Sequence, residues 1–284
     1  MQNLRTLVGN TPLVKISEKI YAKLETYNPS GSVKDRMINY IIRRARMFGE
    51  IDKDTIMCEA TSGNSGIALA MMAAQLGNKC IIFMPGNMSE ERKQMMRIYG
   101  ADIIDAPDDD FKAAIFLRDQ FLQSNEKAWS PMQFSNKANI ECHYFTTAPE
   151  IHKQIIPLNR TWEAFIHGAG TGGTIEGMRR YIQHHKLHTK TCLVMPDESP
   201  HGIQGIGDGG DFLAKPLEMD HIINIKTDDA IERAKRIAKE NGLLVGISSG
   251  ANVLAAEKWI KRYKPAGIVV TMLCDRGERY MSIY

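Results

Sequence analysis

Lys34 is the residue of this 284-residue chain whose place most invites chemistry. It stands in NPSGSVKDR (28–36), after a strand-like YAKLE (21–25) and at the opening of a helical pattern that Gly49 closes. Ser32 is a candidate N-cap, which puts Lys34 in the first helical turn. A cation there opposes the helix dipole at a cost of about 0.3–1 kcal/mol, whereas Arg43, Arg44 and Arg46 sit at the favourable end. A Schiff base between Lys34 and a cofactor aldehyde would relieve that opposition, and the freed amine would serve as a base. The alternative is a solvent-facing helix lysine offset by Asp35.

Two further loops hold anion-binding chemistry, and a third carries small hydroxyl residues. TSGNSG (61–66) joins a strand pattern to a helix rich in Ala, Leu and Met. Its backbone N–H groups, hydroxyls and amide suit a carboxylate, beyond what a capped turn requires. GAGTGGT (168–174) fits G-x-G-x-x-G, yet its extra glycine and two threonines suit a terminal phosphate monoester. A dinucleotide stays open here, because Asp197 and Glu198 follow at a tolerable distance. VGISSG (245–250) places small hydroxyl residues where a strand is expected to meet a helix, and an N-cap would explain it alone.

The elements that must position these loops alternate. Strands are expected at 55–60, 79–84, 101–106, 164–167, 191–195, 221–225, 243–247 and 268–273, with helices at 65–76, 89–99, 111–124, 174–184, 228–240 and 252–263. Gly77, Gly100 and Gly242 are stop signals. Apolar strands alternating with helices imply parallel sheets covered on both faces. One βα array ends near Asn136 and another starts near Thr161, so two lobes with a cleft are expected. The division falls at 1–137 and 138–284, with roughly the first 30 residues crossing to the other lobe. The acidic run 108–110 reads as a solvated helix start.

Bulk properties exclude more than they assign. A charge of +3, from 36 basic and 33 acidic residues, gives no drive toward nucleic acid or a membrane surface. Five cysteines without a C-x-x-C pair argue against a disulfide framework or zinc ribbon and fit a reducing cytoplasm. The N-terminus shows no signal-peptide pattern, and no run reaches the ~18 apolar residues of a membrane span. His184, His185 and His188 read as a solvated helix end rather than a metal site, and no metal is expected. Cys274 reads as a buried thiol ending a strand.

Together the motifs resemble the cysteine synthase (O-acetylserine sulfhydrylase) family of fold-type II pyridoxal-phosphate enzymes. The resemblance runs in order through GNTPLV (9–14), NPSGSVKDR, TSGNSG, GTGGT (170–174) and GISSG (246–250). MPGNMSEER (84–92) and CDRGERYMS (274–282) are similar to the B-type members. The chain departs at 137–140 (KANI) and 146–150 (TTAPE), and its loop at 195–210 is short. The resemblance implies two doubly wound α/β domains with pyridoxal 5'-phosphate in the cleft between them. It implies that Lys34 carries the cofactor and that Asn64 meets the ring's phenolic oxygen. Gly170, Thr171, Gly172, Gly173 and Thr174 would cradle the phosphate, and Ser248 would face the pyridine nitrogen. Thr61, Ser62, Asn64, Ser65 and Gln133 would receive the substrate carboxylate.

The implied reaction replaces the β-substituent of O-acetyl-L-serine by sulfide or thiosulfate through an aminoacrylate, in a cytoplasmic homodimer that contacts small molecules only. A hydroxyl at the pyridine nitrogen makes a milder electron sink than a carboxylate, which favours β-elimination. Rival readings are a serine/threonine dehydratase, a cystathionine-forming β-synthase, or a non-catalytic partner protein, the last at odds with retention of Lys34, Asn64 and Ser248. Loop 195–210 offers Asp197, Glu198 and Asp208 but no Arg or Lys, so an O-acetyl ester is expected over a phosphate ester, unless Arg92 or Arg97 reaches in.

Overall fold

The computed structural model describes residues 4–207 and 213–284, so Asp208 lies outside the described residues. Two parallel sheets form around separate cores. The smaller has the order β5-β4-β3-β6, from β3 (Ile56–Ala60), β4 (Cys80–Pro85), β5 (Asp102–Ala106) and β6 (Ala128–Trp129). α1 (Lys34–Met47) precedes them, and α2 (Asn64–Leu76), α3 (Glu90–Ile98) and α4 (Phe111–Ser124) run between them. Met37, Ile41, Leu69 and Met72 cover one face of this sheet with α1 and α2, while Ala114 and Phe121 of α4 cover the other.

The larger sheet has the order β1-β2-β10-β7-β8-β9. Its strands are β1 (Leu13–Lys15), β2 (Ile20–Leu24), β7 (Trp162–Gly168), β8 (Lys190–Pro196), β9 (His221–Ile225) and β10 (Ile268–Leu273). Among the described strands only β1 and β2 pair antiparallel, so the N-terminal hairpin belongs to the sheet that the C-terminal strand completes. α8 (Thr227–Asn241) and α9 (Ile247–Tyr263) pack on one face. α6 (Ala148–Ile155) and α7 (Gly173–His184) pack on the other, joined there by Val33. β4 and β10 are buried along their whole length, which accounts for their unbroken apolar character.

Local chemistry sets the element ends. α2 and α8 stop at Gly77 (φ +76°) and Gly242 (φ +69°), where the chain turns left-handed. Asp110 accepts from the Ala113 N–H at 2.9 Å, so the acidic run does start α4. The first helical residue of α1 is Lys34 itself. The cap is Val33, one residue later than expected, and the Ser32 hydroxyl accepts the Lys34 N–H at a long 3.3 Å.

One expectation needs correction, and one stretch has no element assigned from sequence. Residues 243–247 form no strand: Val245 makes a single bridge to Arg276, and α9 begins at Ile247. β2 and β7 already flank β10 on both sides, so this apolar run has no place beside it. The stretch between the two βα arrays is helical, with α5 (Ala138–Cys142) running through a π turn (His143–Thr147) into α6.

Candidate active site

One cleft of about 780 Å³, its open mouth included, gathers residues from the carboxyl ends of β3, β7 and β10. Lys34, Thr61, Ser62, Asn64, Ser65, Gln133, Gly170, Thr171, Gly172, Thr174 and Ser248 all line it. Gly173 does not. It packs against Asn139, whose amide oxygen a Cβ at this position would meet at 2.1 Å.

The Lys34 loop is docked on both cores. The Val33 N–H donates to the Cys274 carbonyl at 2.8 Å, and the Arg279 guanidinium donates to the Ser30 and Gly31 carbonyls. Buried Asp35 accepts from the Ser30 N–H at 2.6 Å and from its hydroxyl. Burial pushes that carboxyl up to about 6 against those hydrogen bonds. Arg36 is fully committed to Glu25 and Glu150.

Loop 61–66 is held at several points. The Ser65 hydroxyl donates to Gln133 Oε1 at 2.6 Å, and Gln133 Nε2 donates to the Ala60 carbonyl at 3.1 Å. Gly63 has φ +157°, and a Cβ there would meet Arg92 Cδ at 2.4 Å, so no larger residue fits. The Arg92 guanidinium donates to the Ser62 carbonyl at 3.1 Å and lies 4.8 Å from the Tyr280 ring centre. Asn64 Nδ2 donates to Asp275 Oδ2 at 2.7 Å, and the Tyr280 hydroxyl donates to the same oxygen at 2.6 Å. Burial, then the Asp275 carboxylate, holds the Tyr280 hydroxyl well above its usual range. Two buried acceptors here, Asn64 Oδ1 and Asp275 Oδ1, lack a donor.

Across the cleft, Asn252 ties β7 to β10. Its Oδ1 accepts from the Gly168 N–H at 2.9 Å, while its Nδ2 reaches the Met272 carbonyl at 3.1 Å and His167 Nδ1 at 3.2 Å. Burial and the Lys34 charge lower His167 to about 3, so the imidazole is neutral, with its proton on Nε2. Burial raises the Cys274 thiol to about 12, an inert group beside the cleft. The Ser249 hydroxyl accepts from the Cys274 N–H at 2.9 Å. Neither Ser248 nor Ser249 caps α9, because both lie inside its first turn after Gly246. At α7, Thr171 accepts from Asn139 at 2.9 Å, and Thr174 meets His143 Nε2 at 3.2 Å.

Comparison with known proteins gives the family of the chain. The family model for "Pyridoxal-phosphate dependent enzyme" matches residues 4–275. The chain belongs to the pyridoxal-phosphate dependent enzymes. It is 36% identical over 301 residues to cysteine synthase of Staphylococcus aureus, covering 99% of this chain and 96% of that protein. Among solved structures it is similar to a hydrogen sulfide-producing enzyme from Fusobacterium nucleatum, with TM-score 0.92, 38% identity and coverage of 99% and 100%. An O-acetylserine dependent cystathionine beta-synthase from Helicobacter pylori gives TM-score 0.90 and 33% identity, covering 100% of this chain and 98% of that one. The fold is therefore that of the cysteine synthase-like fold-type II enzymes, and its cofactor is pyridoxal phosphate.

The residues present fit a group that carries a phosphate, a phenolic oxygen, a ring nitrogen and an aldehyde. The first N–H groups of α7, with the Thr171 and Thr174 hydroxyls, could hold the phosphate. Gly172 has φ +84°, and a Cβ on Gly170 would meet the Gly205 carbonyl oxygen at 2.6 Å, so this cradle accepts no side chains. Asn64, Ser248 and Lys34 supply an amide, a hydroxyl and an amine to the same cleft.

Sequence reasoning passed over several residues. Asn252 and His167 carried one faint signal each, a polar residue in an otherwise apolar stretch. In loop 195–210 the cleft meets neutral Gln204, Gly205 and Ile206, while Glu198 turns away to accept the Thr227 N–H at 2.6 Å. Glu198 therefore does not line the cleft, and Arg92 does reach it. His184 bonds the Tyr144 hydroxyl and stacks on His185.

Proposed function

We propose that this enzyme replaces the acetate of O-acetyl-L-serine by sulfide to form L-cysteine. The observation that carries the reading is the meeting in one cleft of Lys34, the Asn64 amide, the N-terminus of α7 and Ser248. Bound pyridoxal phosphate supplies an electron sink that acidifies the Cα–H of an amino acid joined to it. In our reading Lys34 holds the cofactor, then takes the Cα proton on Nζ and returns it once sulfur has added at Cβ. Asn64 would hold the ring through its phenolic oxygen, and Ser248 would offer the ring nitrogen a hydroxyl, a weaker proton partner than a carboxylate. Gly170, Thr171, Gly172 and Thr174 line the phosphate site, and Gly173 contributes by letting Asn139 close behind Thr171. Thr61, Ser62, Asn64, Ser65 and Gln133 receive the α-carboxylate. The neutral His167 and inert Cys274 offer no competing base or nucleophile.

The acetyl ester is our choice because Gln204, Gly205 and Ile206 present no cation, and Arg92 is engaged with Ser62 and Tyr280. A phosphate leaving group calls for a cationic fork. With sulfide as nucleophile, kcat/KM should favour O-acetylserine over O-phosphoserine by at least roughly tenfold. A preference for the phosphate ester would refute the leaving-group assignment and point to Arg92. We infer in addition a cytoplasmic homodimer, which the resemblance supports; among the described residues no helix is long and apolar enough to cross a membrane.

A further inference from the structure

We propose that Glu59 and Arg118 are positioning residues for the amino-acid carboxylate, acting through Gln133 and Ser65. This rests on the reading above, in which those two side chains receive the carboxylate.

Glu59 lies on β3 with no solvent exposure, and Arg118 on α4 is 5% exposed. Arg118 donates to Glu59 Oε1 at 2.8 Å, and the Ala60 N–H donates to the same oxygen at 2.9 Å. The other oxygen accepts from the backbone N–H of Gln133 at 3.1 Å. Gln133 is then held at its carbonyl by Asn139 at 3.0 Å, at Nε2 by the Ala60 carbonyl, and at Oε1 by the Ser65 hydroxyl. An amide carries two N–H donors, so one is left to face the cleft that Gln133 lines.

Three donors converge on this carboxylate. A neutral amide in its place would have to turn its NH2 toward one of them, so two acceptor oxygens are required here; burial raises the Glu59 carboxyl above its usual range, and the Arg118 charge opposes that rise. A buried ion pair is seldom a net source of stability against an apolar pair of similar volume. Holding Gln133 in register supplies a reason for this one, because small displacements of substrate-binding groups are costly in rate.

The test uses the holoenzyme of Glu59→Leu/Arg118→Leu, which removes both charges together. Expected results are a thermal midpoint within about 5 °C of wild type and unchanged pyridoxal phosphate affinity. KM for O-acetylserine, and the dissociation constant for L-serine read from cofactor absorbance, should rise about tenfold, with kcat within roughly threefold. Gln133→Ala alone should give a similar rise, and the pair change should add nothing in its background, which a merely structural role would not produce. If the pair variant binds L-serine as wild type while Gln133→Ala weakens it, the positioning proposal is overturned and the carboxylate site stands. If Gln133→Ala leaves binding intact, the carboxylate assignment itself falls, and this proposal with it. Should the leucine pair not fold, Glu59→Gln decides in the same way: weaker L-serine binding supports the proposal and unchanged binding overturns it.

Discussion

Replacing Asn252 by alanine should loosen the joint between the two strands that end at the cleft. The side chain has no solvent exposure in the wild-type protein. Its loss leaves the Gly168 N–H without the 2.9 Å acceptor and His167 Nδ1 without the 3.2 Å donor. An unmet buried amide costs about 1–3 kcal/mol, and the second lost bond and the small void add roughly 1 kcal/mol each. The sum, about 4 kcal/mol, corresponds to a fall of roughly 8–16 °C in Tm for a chain of this size. Calorimetry of the cofactor-free protein reads it directly. Asn252→Asp tests the direction of the imidazole bond: a carboxylate beside Nδ1 should raise the His167 pKa, visible in its ring-proton NMR titration. A fall in Tm of less than about 3 °C for Asn252→Ala would refute the clamp.

Two further outcomes follow from the same geometry. Gly172→Val forces a side chain onto a residue at φ +84° whose Cβ would sit 2.5 Å from the Ala214 nitrogen. Equilibrium dialysis should show pyridoxal phosphate affinity weakened at least tenfold (about 1.4 kcal/mol) in a protein that still melts cooperatively, and full affinity would sink the phosphate-loop assignment. Part of the pH dependence comes from His143 and His167, both lowered by burial in the folded state. The unfolded chain binds more protons below about 6.5, so stability falls as pH drops from there toward the folded values, by up to about 1.4 kcal/mol per unit for each group. Asp35, held at about 6, works the other way below that pH and offsets part of the loss. His167→Gln should reduce the urea-measured loss between pH 6.5 and 5 by about 2 kcal/mol. An unaltered slope would show that His167 is charged in the folded protein.

What the sequence made legible was local. Lys34 at a helix start, and the glycine loops at 61–66 and 168–174, declare themselves through residue type and spacing, because anion sites at helix N-termini are built from contiguous backbone. Gly173 marks the limit of that reasoning. The motif contains it, yet only the packed structure shows its Cα against Asn139 rather than in the cleft. The strand expected at 243–247 failed for a long-range reason, since β10 was already paired on both sides. Asn252, His167 and the Glu59–Arg118 pair act across elements distant in sequence, and single polar residues in apolar stretches do not announce their partners. Loop 195–210 looked acidic on paper, but Glu198 is spent on the Thr227 N–H at the start of α8.

The central claim is that Lys34 carries the cofactor and works as the base. Borohydride reduction of the holoenzyme fixes a lysine-linked pyridoxyl group, and peptide mapping by mass then locates it. The account predicts the added mass on the peptide containing Lys34, and its loss, with all β-replacement turnover, in Lys34→Ala. A pyridoxyl group on any other lysine, or undiminished turnover by Lys34→Ala, would contradict it.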